Sequence, residues 1–535
     1  MGRSSKAAAL AVVSLCAALT AAPSCATAGN ASAKVPPRYL ETPPGAKPRV
    51  VITADPELDD SNSLVRYLLY APSFRTEGLI YASSQFHWKG DGKGTKGFVA
   101  GREYTRVGRE ICPCTSWRWD PKERFIDDAL DAYAKAYPNL RVHDRAYPTP
   151  AALRAKVRWG NVDFDGEMDK DTAGSNLIKA LLLDDEEAPI YLHAWGGQST
   201  IARALKSIED QYQGTPRWPA IRAKVIRKAV IHPSGDQDDT YAKYIKPHWP
   251  EIRYMEPADG LSLSYLSQRT VSEEDAVYLG VDWTRKNISS RGPLGAFYRV
   301  WGDGRQMVKG DIFDYFGVPG KSRDQLKTEG YVVWSPVEEA GSFIGEGDTG
   351  TFLNLVDNGL NGYRAGTYGG WGGHAGTGRS AISGEMSANL SAVASDGPRA
   401  FARAPTHPFM ASAQRDFAAR FAWATTPRYA DANHNPKIAL EGSALISARP
   451  GQVVALAATV SDPDHDEVVV RWRVWPKAGS YAGEVALEGG EGLSTRLTVP
   501  ADAKPGDTIH VLAEATDDGA PALSRYVHVV VAIAK

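Results

Sequence analysis

The fold is decided by residues 50–60, which read Val50-Val51-Ile52-Thr53-Ala54-Asp55-Pro56-Glu57-Leu58-Asp59-Asp60. The first of these residues form an apolar run of the kind that makes a buried strand. Apolar residues then recur at helical spacing, at Leu64, Val65, Leu68 and Leu69, which predicts an amphipathic helix. A strand that leads into a helix through a short turn indicates the first half of a βαβ unit.

The same alternation continues along the chain. Further strands are predicted at residues 79–82, 189–192 and 229–231, and further helices at residues 175–183, 199–208 and 239–245. Strands that alternate with helices form mainly parallel, doubly wound sheets. The sequence therefore predicts an α/β domain over residues 48–432. In such sheets ligands bind at the carboxyl ends of the strands.

A second, all-β domain is predicted at residues 436–535. Polar turns separate short strand-like runs at residues 453–460, 468–474, 494–499, 509–515 and 526–533. This rhythm is typical of an immunoglobulin-like β-sandwich. The pattern is similar to that of bacterial immunoglobulin-like and cadherin-like modules. Because it supplies no nucleophile and no acid/base pair, we expect a non-catalytic accessory domain.

Two acidic turns of this second domain have two interpretations. They are the segment Asp462-Pro463-Asp464-His465-Asp466 and the segment Asp517-Asp518-Gly519. Carboxylate oxygens suit Ca²⁺, but Asp and Gly also favour turns for backbone reasons alone. The sequence leaves both interpretations open.

Composition and charge exclude some partners. The 535 residues carry 61 Lys and Arg against 63 Asp and Glu, a formal net charge of −2. Such a balance predicts no binding to nucleic acid or to an acidic membrane surface. The oligomeric state is left open.

The N-terminus indicates export. Residues 1–28 combine a basic start, an apolar stretch of small residues and the cleavage pattern Ala26-Thr27-Ala28, which is typical of a signal peptide. Residues 29–47 then form an extended lead-in. Lipoprotein anchoring through Cys25 is not expected, because the preceding residues lack the usual Leu. No later segment is apolar for the roughly 18 residues that a transmembrane helix needs, so we predict a secreted or periplasmic protein.

Two cysteines remain in the predicted mature chain, Cys112 and Cys114, on either side of Pro113. A disulfide across a single residue would be strained, and a metal site needs more ligands. The expectation is therefore two thiols in a loop or a local redox-sensitive pair.

The turn that follows the first strand carries the clearest chemical signal. Asp55, Asp59 and Asp60 lie within six residues of each other. Asp59, Asp60 or Ser61 could cap the following helix, but capping needs a single side chain. Crowded carboxylates repel each other unless a cation is present, and Ca²⁺ prefers such oxygen ligands. Spacing alone leaves capping, metal binding and catalysis open.

The turn resembles the fingerprint of the nucleoside hydrolases, Asp-x-Asp-Pro-Gly-x-Asp-Asp. Asp55, Pro56, Asp59 and Asp60 match it, whereas Thr53 and Glu57 replace the first Asp and the Gly. The resemblance implies that Asp55 binds calcium and acts as the general base. It also implies that Asp59 contacts sugar hydroxyls and that Asp60 binds calcium.

Two further segments extend this resemblance. The run His193-Ala194-Trp195-Gly196-Gly197-Gln198-Ser199 is similar to a strand and loop in which a backbone carbonyl, here that of Trp195, binds calcium. The segment Gly347-Asp348-Thr349, followed by a predicted helix at 352–356, is similar to the one that supplies the last calcium carboxylate. Asp348 matches the acidic residue of that segment, and Gly347 stands where the nucleoside hydrolases have a His. The competing interpretation of Asp348 is a structural role as a helix N-cap.

A closer resemblance covers nearly the whole mature chain. It rests on segments that begin at Asp55, Ser84, Asp169, Asp236, Gly345 and Gly370, among them Ser84-Gln85-Phe86-His87-Trp88-Lys89-Gly90-Asp91-Gly92 and Gly345-Glu346-Gly347-Asp348-Thr349. These segments look like a secreted bacterial nucleoside-hydrolase-like family whose members have been labelled cellulose-binding proteins. The family does not fix the reaction.

The other candidates for substrate binding lie in loops after strands or in a Gly-rich loop. They are His87, Trp88, Asp236, Gln237 and Trp371. Gln85, Asp238 and His374 lie beside them. For each of these residues a structural role in its loop is the competing interpretation.

The expected function is calcium-dependent hydrolysis of a glycosidic bond in an N- or O-linked furanoside or sugar fragment, with Asp55 as the base. The partner would be a carbohydrate or a nucleoside-like molecule. No leaving-group acid is identifiable; Glu346, His87 and His374 are candidates. The alternatives are a carbohydrate-binding protein without turnover and a structural surface module.

Overall fold

The structure is a computed structural model that describes residues 39–102, 104, 111–364, 369–377 and 401–535. The predicted signal peptide at 1–28, Cys25 and most of the predicted lead-in lie outside the described residues. Among the described residues, no helix is both long and apolar enough to cross a membrane.

Eight strands form the sheet of the first domain. They are β1 (Arg49–Ala54), β2 (Arg75–Tyr81), β3 (Val157–Trp159), β4 (Ile190–Ala194), β5 (Ala229–Pro233), β6 (Arg253–Ala258), β7 (Gly369–Gly370) and β8 (Gly373–Thr377). Their order in the sheet is β3-β2-β1-β4-β5-β6-β8-β7. The six strands β1 to β6 are parallel, and β8 and β7 extend the edge in antiparallel fashion. The predicted α/β architecture is confirmed.

Helices cover both faces of this sheet. The α-helices are α1 (Leu58–Leu69) and those at Phe125–His143, Pro150–Arg154, Ala173–Leu183, Ser199–Tyr212, Trp218–Lys228, Lys246–His248, Ser267–Thr270, Glu273–Ala276, Val281–Thr284, Gly292–Phe297, Arg323–Thr328 and Met410–Thr425. In β1, Val50 and Ile52 pack into one core and Val51 packs into the other. Since side chains alternate along a strand, a continuous apolar run is what a sheet buried on both faces requires.

The remaining helical segments are short turns. There are π-helical turns at Tyr241–Ile245 and Arg285–Ser289, and 3-10 turns at Ala71–Ser73, Thr349–Thr351, Leu353–Leu355, Tyr429–Asp431 and Pro476–Ala478. The predicted helix at 239–245 is a π-helical turn at Tyr241–Ile245, and the predicted helix at 352–356 is a 3-10 turn at Leu353–Leu355.

The second domain consists of two four-stranded sheets. Their strands are β9 (Lys437–Leu440), β10 (Leu445–Ala448), β11 (Val453–Ser461), β12 (Val468–Val474), β13 (Leu487–Glu488), β14 (Ser494–Thr498), β15 (Thr508–Asp517) and β16 (Ser524–Ile533). One sheet has the order β10-β16-β15-β12 and the other β13-β14-β11-β9. Apolar side chains of both sheets form one core, so the predicted β-sandwich is confirmed.

Of the two interpretations of the cysteines, two unpaired thiols in a loop is wrong, and a redox-sensitive pair stays a prediction. Cys112 and Cys114 form a disulfide. Their Cα atoms lie 4.5 Å apart, which is within the range of ordinary disulfides. The loop can therefore close across the single intervening residue.

Buried charges join the two domains. Asp416, in the helix Met410–Thr425, accepts hydrogen bonds from Arg420 Nε and from Arg525 Nη1 of β16, each at 2.8 Å. It also accepts one from Asn435 Nδ2 at 2.8 Å. Burial alone would raise the pKa of Asp416, but the two guanidinium charges lower it below its ordinary value. The sandwich thus packs on the α/β domain through a charged, fully bonded contact.

This ion cluster predicts a loss of stability in acid. A carboxyl whose pKa is lowered by folding stabilises the protein above its unfolded pKa of about 3.9 and loses that contribution as the pH falls below it. We expect the free energy of unfolding of the wild type to fall with decreasing pH below about 4, with Asp416 supplying up to about 1.4 kcal/mol per pH unit. Urea titrations of wild type and Asp416→Asn between pH 5 and pH 2 would measure this. Equal slopes for both proteins would contradict the assignment.

Candidate active site

The acidic turn lies where the strand order of the sheet reverses. β1 pairs with β2 on one side and with β4 on the other, and ligands of doubly wound sheets bind in the crevice outside the strand ends at this position. Asp55 directly follows β1, and Trp195 directly follows β4. The topology therefore brings the two most informative sequence segments to one edge.

Helix capping does not explain the aspartates. The N-cap residue of α1 is Glu57, and its side chain makes no capping hydrogen bond. Asp59 and Asp60 lie inside the first turn of the helix. Asp60 Oδ1 instead accepts a hydrogen bond from the backbone N–H of Asp55 at 3.1 Å, which folds the turn back on itself.

The side chain of Asp55 is a buried carboxylate. Its side chain is fully buried, and neither oxygen has a hydrogen-bond partner among the described residues. The Nδ1 of His87 lies 3.6 Å from Asp55 Oδ2, beyond hydrogen-bond length, and burial lowers the pKa of His87, so that its ring is neutral. Since a buried charge without a partner is strongly destabilising, this residue fits a bound cation.

Asp348, which lies far along the chain from the acidic turn, interacts with Asp55, Asp59 and Asp60. Its side chain is buried and lies within hydrogen-bonding reach of the Asp60 carboxyl and of Ser234. Burial, followed by the charges of Asp59 and Asp55, raises the pKa of Asp348 well above its ordinary value. Burial and the charge of Asp348 likewise raise the pKa of Asp60 well above its ordinary value. Carboxyl groups that raise each other's pKa in this way are stabilised by a proton or a cation shared between them.

Asp59 is held in a fixed orientation. Its Oδ1 accepts a hydrogen bond from the Tyr265 hydroxyl at 2.9 Å, and its Oδ2 accepts one from the Gly347 N–H at 3.2 Å. Burial raises the pKa of Asp59 to about 6 despite the bond from Tyr265. A Cβ at position 347 would lie 2.3 Å from Asp59 Oδ2. This close approach explains why Gly347 stands where the nucleoside-hydrolase pattern has a His.

The Trp195 carbonyl has a protein donor. Gln237 Nε2 donates to Trp195 O at 2.6 Å. A carbonyl oxygen accepts in two directions, so this bond leaves the predicted ligand role open and orients the carbonyl. The Trp195 ring continues the network, because its Nε1 donates to Thr351 Oγ1, which donates to the Asp348 carbonyl. Gln237 therefore contacts the loop that would hold the metal.

The structure does not bring all candidates together. Asp236 accepts the N–H groups of Tyr241 and Ala242, at 3.1 and 3.0 Å, and so caps a π-helical turn. Trp88 is buried and exchanges backbone hydrogen bonds with Trp117. The Trp371 ring is buried in the core, edge-on to Tyr70. These contacts favour structural roles for Asp236, Trp88 and Trp371, because each residue is already packed or bonded within the fold.

Sequence reasoning missed two residues that face the acidic cluster. Tyr265 bonds to Glu57 Oε1 at 3.2 Å as well as to Asp59, and it lies in a loop without any recognisable motif. Arg118 acts electrostatically on Glu57 and His87 and is anchored to Asp311 Oδ2 at 2.8 Å. The only sequence signal for Arg118 is that it closely follows Cys112 and Cys114, whose disulfide closes the loop that precedes it.

The sequence of this chain matches a family profile over residues 49–374, more than half of its length. That family is described as "Cellulose-binding Sde182, nucleoside hydrolase-like domain". The chain belongs to this family. Residues 453–533 match the C-terminal domain of the cellulose-binding protein Sde0182. The resemblance to a nucleoside-hydrolase-like family with a sandwich domain is thereby confirmed.

Among solved structures, the chain is similar to a nucleoside hydrolase-related hypothetical protein from Saccharophagus degradans that is associated with carbohydrate metabolism. The sequence identity is 25% and the TM-score is 0.63, and the match covers 91% of this chain and 100% of the other. No curated protein matches the chain.

Proposed function

We propose that this protein is a secreted, calcium-dependent hydrolase of a glycosidic bond in a small furanoside or sugar fragment. The observation that carries the proposal is Asp55, a fully buried carboxylate at the sheet edge with both oxygens unbonded among the described residues. The family and its relative, which is associated with carbohydrate metabolism, support a carbohydrate as the substrate class.

Asp55, Asp60, Asp348 and the Trp195 carbonyl would hold the ion. All are hard oxygen ligands of the kind that Ca²⁺ prefers. When bound, Ca²⁺ supplies positive charge that attracts sugar hydroxyls and water and lowers the pKa of that water. Gln237 would keep the Trp195 carbonyl oriented through its hydrogen bond.

Side chains of the protein would supply the general base and the contacts to the substrate. Asp55 accepts a proton from the attacking water as general base. Asp59, fixed by Tyr265 and Gly347, accepts hydrogen bonds from sugar hydroxyls with its remaining lone pairs. The water attacks the anomeric carbon through an oxocarbenium-like transition state.

The leaving group limits the substrate range. Glu346, one of the candidate acids, is fully buried and bonded to Arg66, Tyr298 and Thr349, so it is not free to protonate a substrate. His87 and His374 remain candidate acids, and substrates whose leaving group departs without protonation, such as aryl furanosides, are the first choice because they need neither. The test is a screen of aryl furanosides, nucleosides and plant polysaccharides for calcium-dependent release of product.

The second candidate is a carbohydrate-binding protein without turnover. The bonded state of Glu346 favours it, as does the description of the family as cellulose-binding. The same screen distinguishes the two functions. Saturable, calcium-dependent binding of a sugar with no product would support binding alone and would contradict hydrolysis.

Calcium is expected to stabilise the protein through this site. A ligand that binds only the folded state adds about 2.7 kcal/mol at 100 times its dissociation constant, so a chelator should lower the melting temperature. Asp60→Asn should remove the part of the response that this site supplies. Asp163→Asn serves as the matched control, because Asp163 also follows a strand of the sheet but pairs with exposed Lys170. A calcium response as large in Asp60→Asn as in the wild type would exclude this ligand.

A further inference from the structure

A second group of carboxylates lies at the junction of the two domains. Asp462, Asp464 and Asp466 occupy the turn between β11 and β12, and each offers a carboxylate oxygen within 4.8 Å of the others. Calcium–oxygen distances are about 2.3–2.6 Å. Two oxygen ligands on opposite sides of one calcium ion therefore lie about 5 Å apart, close to the separation of these carboxylate oxygens. The spacing alone is common in acidic turns and does not establish a site.

An independent residue points to a ligand. Asp517, at the end of β15, is only 3% exposed. Its Oδ1 accepts the N–H groups of Gly519 and Leu523 and the amide of Asn433. Its Oδ2 is buried and has no hydrogen-bond partner among the described residues. Strand pairing places Asp517 opposite Val468, directly beside the acidic turn.

The turn leaves a second oxygen unbonded. Asp462 Oδ1 accepts the backbone N–H groups of Asp464 and Asp466, at 2.8 and 3.1 Å. Asp462 Oδ2 is buried and has no partner among the described residues. Burial raises the pKa of Asp517, and the charge of Asp462 raises it further. Asp462 and Asp517 therefore each keep one buried carboxylate oxygen without a hydrogen-bond partner among the described residues, and the two side chains interact electrostatically.

We propose that Asp462, Asp464, Asp466 and Asp517 form a calcium site at the domain junction, separate from the site at the edge of the α/β sheet. All four side chains supply hard oxygen ligands, and the residues of the turn are partly exposed, so water can complete the six to eight ligands that Ca²⁺ takes. Mg²⁺ fits less well, because it requires a small and nearly ideal octahedral arrangement.

The site would stabilise the linker between the domains. Asp464 accepts hydrogen bonds from the backbone N–H of His434 at 2.6 Å and from its Nδ1 at 3.0 Å. The His434 ring stacks on Tyr429 and lies 2.9 Å from the Nδ1 of His143 in the α/β domain. An ion that fixes Asp464 therefore also fixes the linker residue that docks on the first domain.

The test counts the calcium ions bound per chain. Equilibrium dialysis should give one ion less for the double variant Asp462→Asn and Asp466→Asn than for the wild type. We expect a dissociation constant of about 0.1–1 mM, as in extracellular modules, weakened at least about tenfold by the loss of two charges. Asp502→Asn is the matched control, because Asp502 is an exposed aspartate of the sandwich that bonds only to Tyr481 among the described residues.

The same measurement in the Asp60→Asn background separates the two sites. One ion should remain in Asp60→Asn and should be lost when the two turn substitutions are added. Calcium should also slow hydrogen exchange in residues 429–436 and 461–467 of Asp60→Asn, but not of the combined variant. Equal calcium binding with and without the turn substitutions, or unchanged exchange in both segments, would overturn the proposal. Loss of binding at the turn alone would leave the hydrolase proposal untouched.

Discussion

Replacing Asp55 with alanine is expected to abolish hydrolysis and to leave the fold intact. Removal of a general base costs about 10²–10⁴-fold in rate. The loss at Asp55 should exceed this range, because the same side chain is also a proposed calcium ligand. The fold should survive, since neither Asp55 oxygen bonds to another described group and its removal relieves repulsion with the neighbouring acids. Initial rates on the substrate found by the screen, with circular dichroism as the check on folding, measure both effects.

Two further variants sharpen this experiment. Asp55→Asn keeps the shape of the side chain but loses the charge and the basicity, so it should lose hydrolysis as completely as the alanine variant. Asp163→Asn removes a carboxylate that follows β3 and pairs with exposed Lys170, and it should retain the wild-type rate. Hydrolysis within a few-fold of the wild type in Asp55→Ala would refute the mechanism.

Replacing Glu346 with alanine is expected to destabilise the protein severely. Glu346 and Arg66 form a fully buried ion pair in which Tyr298 also donates to the carboxylate, at 2.5 Å. The Arg66 guanidinium lies over the Phe417 ring, 3.5 Å from its centroid, and cannot reach water. Breaking a buried pair costs about 3–5 kcal/mol, because it leaves an uncompensated charge. Chemical denaturation of Glu346→Ala and of the wild type would measure the difference.

An exposed ion pair provides the control. Lys321 and Glu329 lie at 2.5 Å with side chains 38% and 42% exposed, and such pairs contribute about 0–1 kcal/mol. Glu329→Ala should therefore leave the stability nearly unchanged. If Glu346→Ala were as stable as Glu329→Ala but lost turnover, Glu346 would be a catalytic acid and not a structural partner.

The fold was predictable because its signals are local. The uninterrupted apolar run of β1 and the helical spacing in α1 identify a βαβ unit without any tertiary information. The helices Phe125–His143 and Met410–Thr425 were missed. One contains Pro138, and the other is buried so extensively that its apolar residues show no single face. The strands β6 to β8 were missed because glycine and polar residues make up much of this sheet edge.

The site was predictable only where one turn concentrates it. Asp55, Asp59 and Asp60 are neighbours in sequence, so their proximity follows from the local pattern. Tyr265 reaches the site from a loop far along the chain, and no periodicity or spacing indicates that contact. Gln237 was named as a candidate because it follows a strand, but its hydrogen bond to the Trp195 carbonyl could not be read from the sequence. Asp236 suggested a ligand because it is an acidic residue after a strand, and in the structure each of its two oxygens accepts a backbone N–H group and so caps a turn.

The proposed hydrolase requires that one calcium ion binds to Asp55, Asp60 and Asp348. Anomalous scattering from crystals grown with calcium tests it most directly. We predict an anomalous peak about 2.3–2.6 Å from carboxylate oxygens of all three residues, as calcium coordination requires. A well-ordered site with no peak, in which the carboxyl groups bond only to water or to each other, would contradict the account.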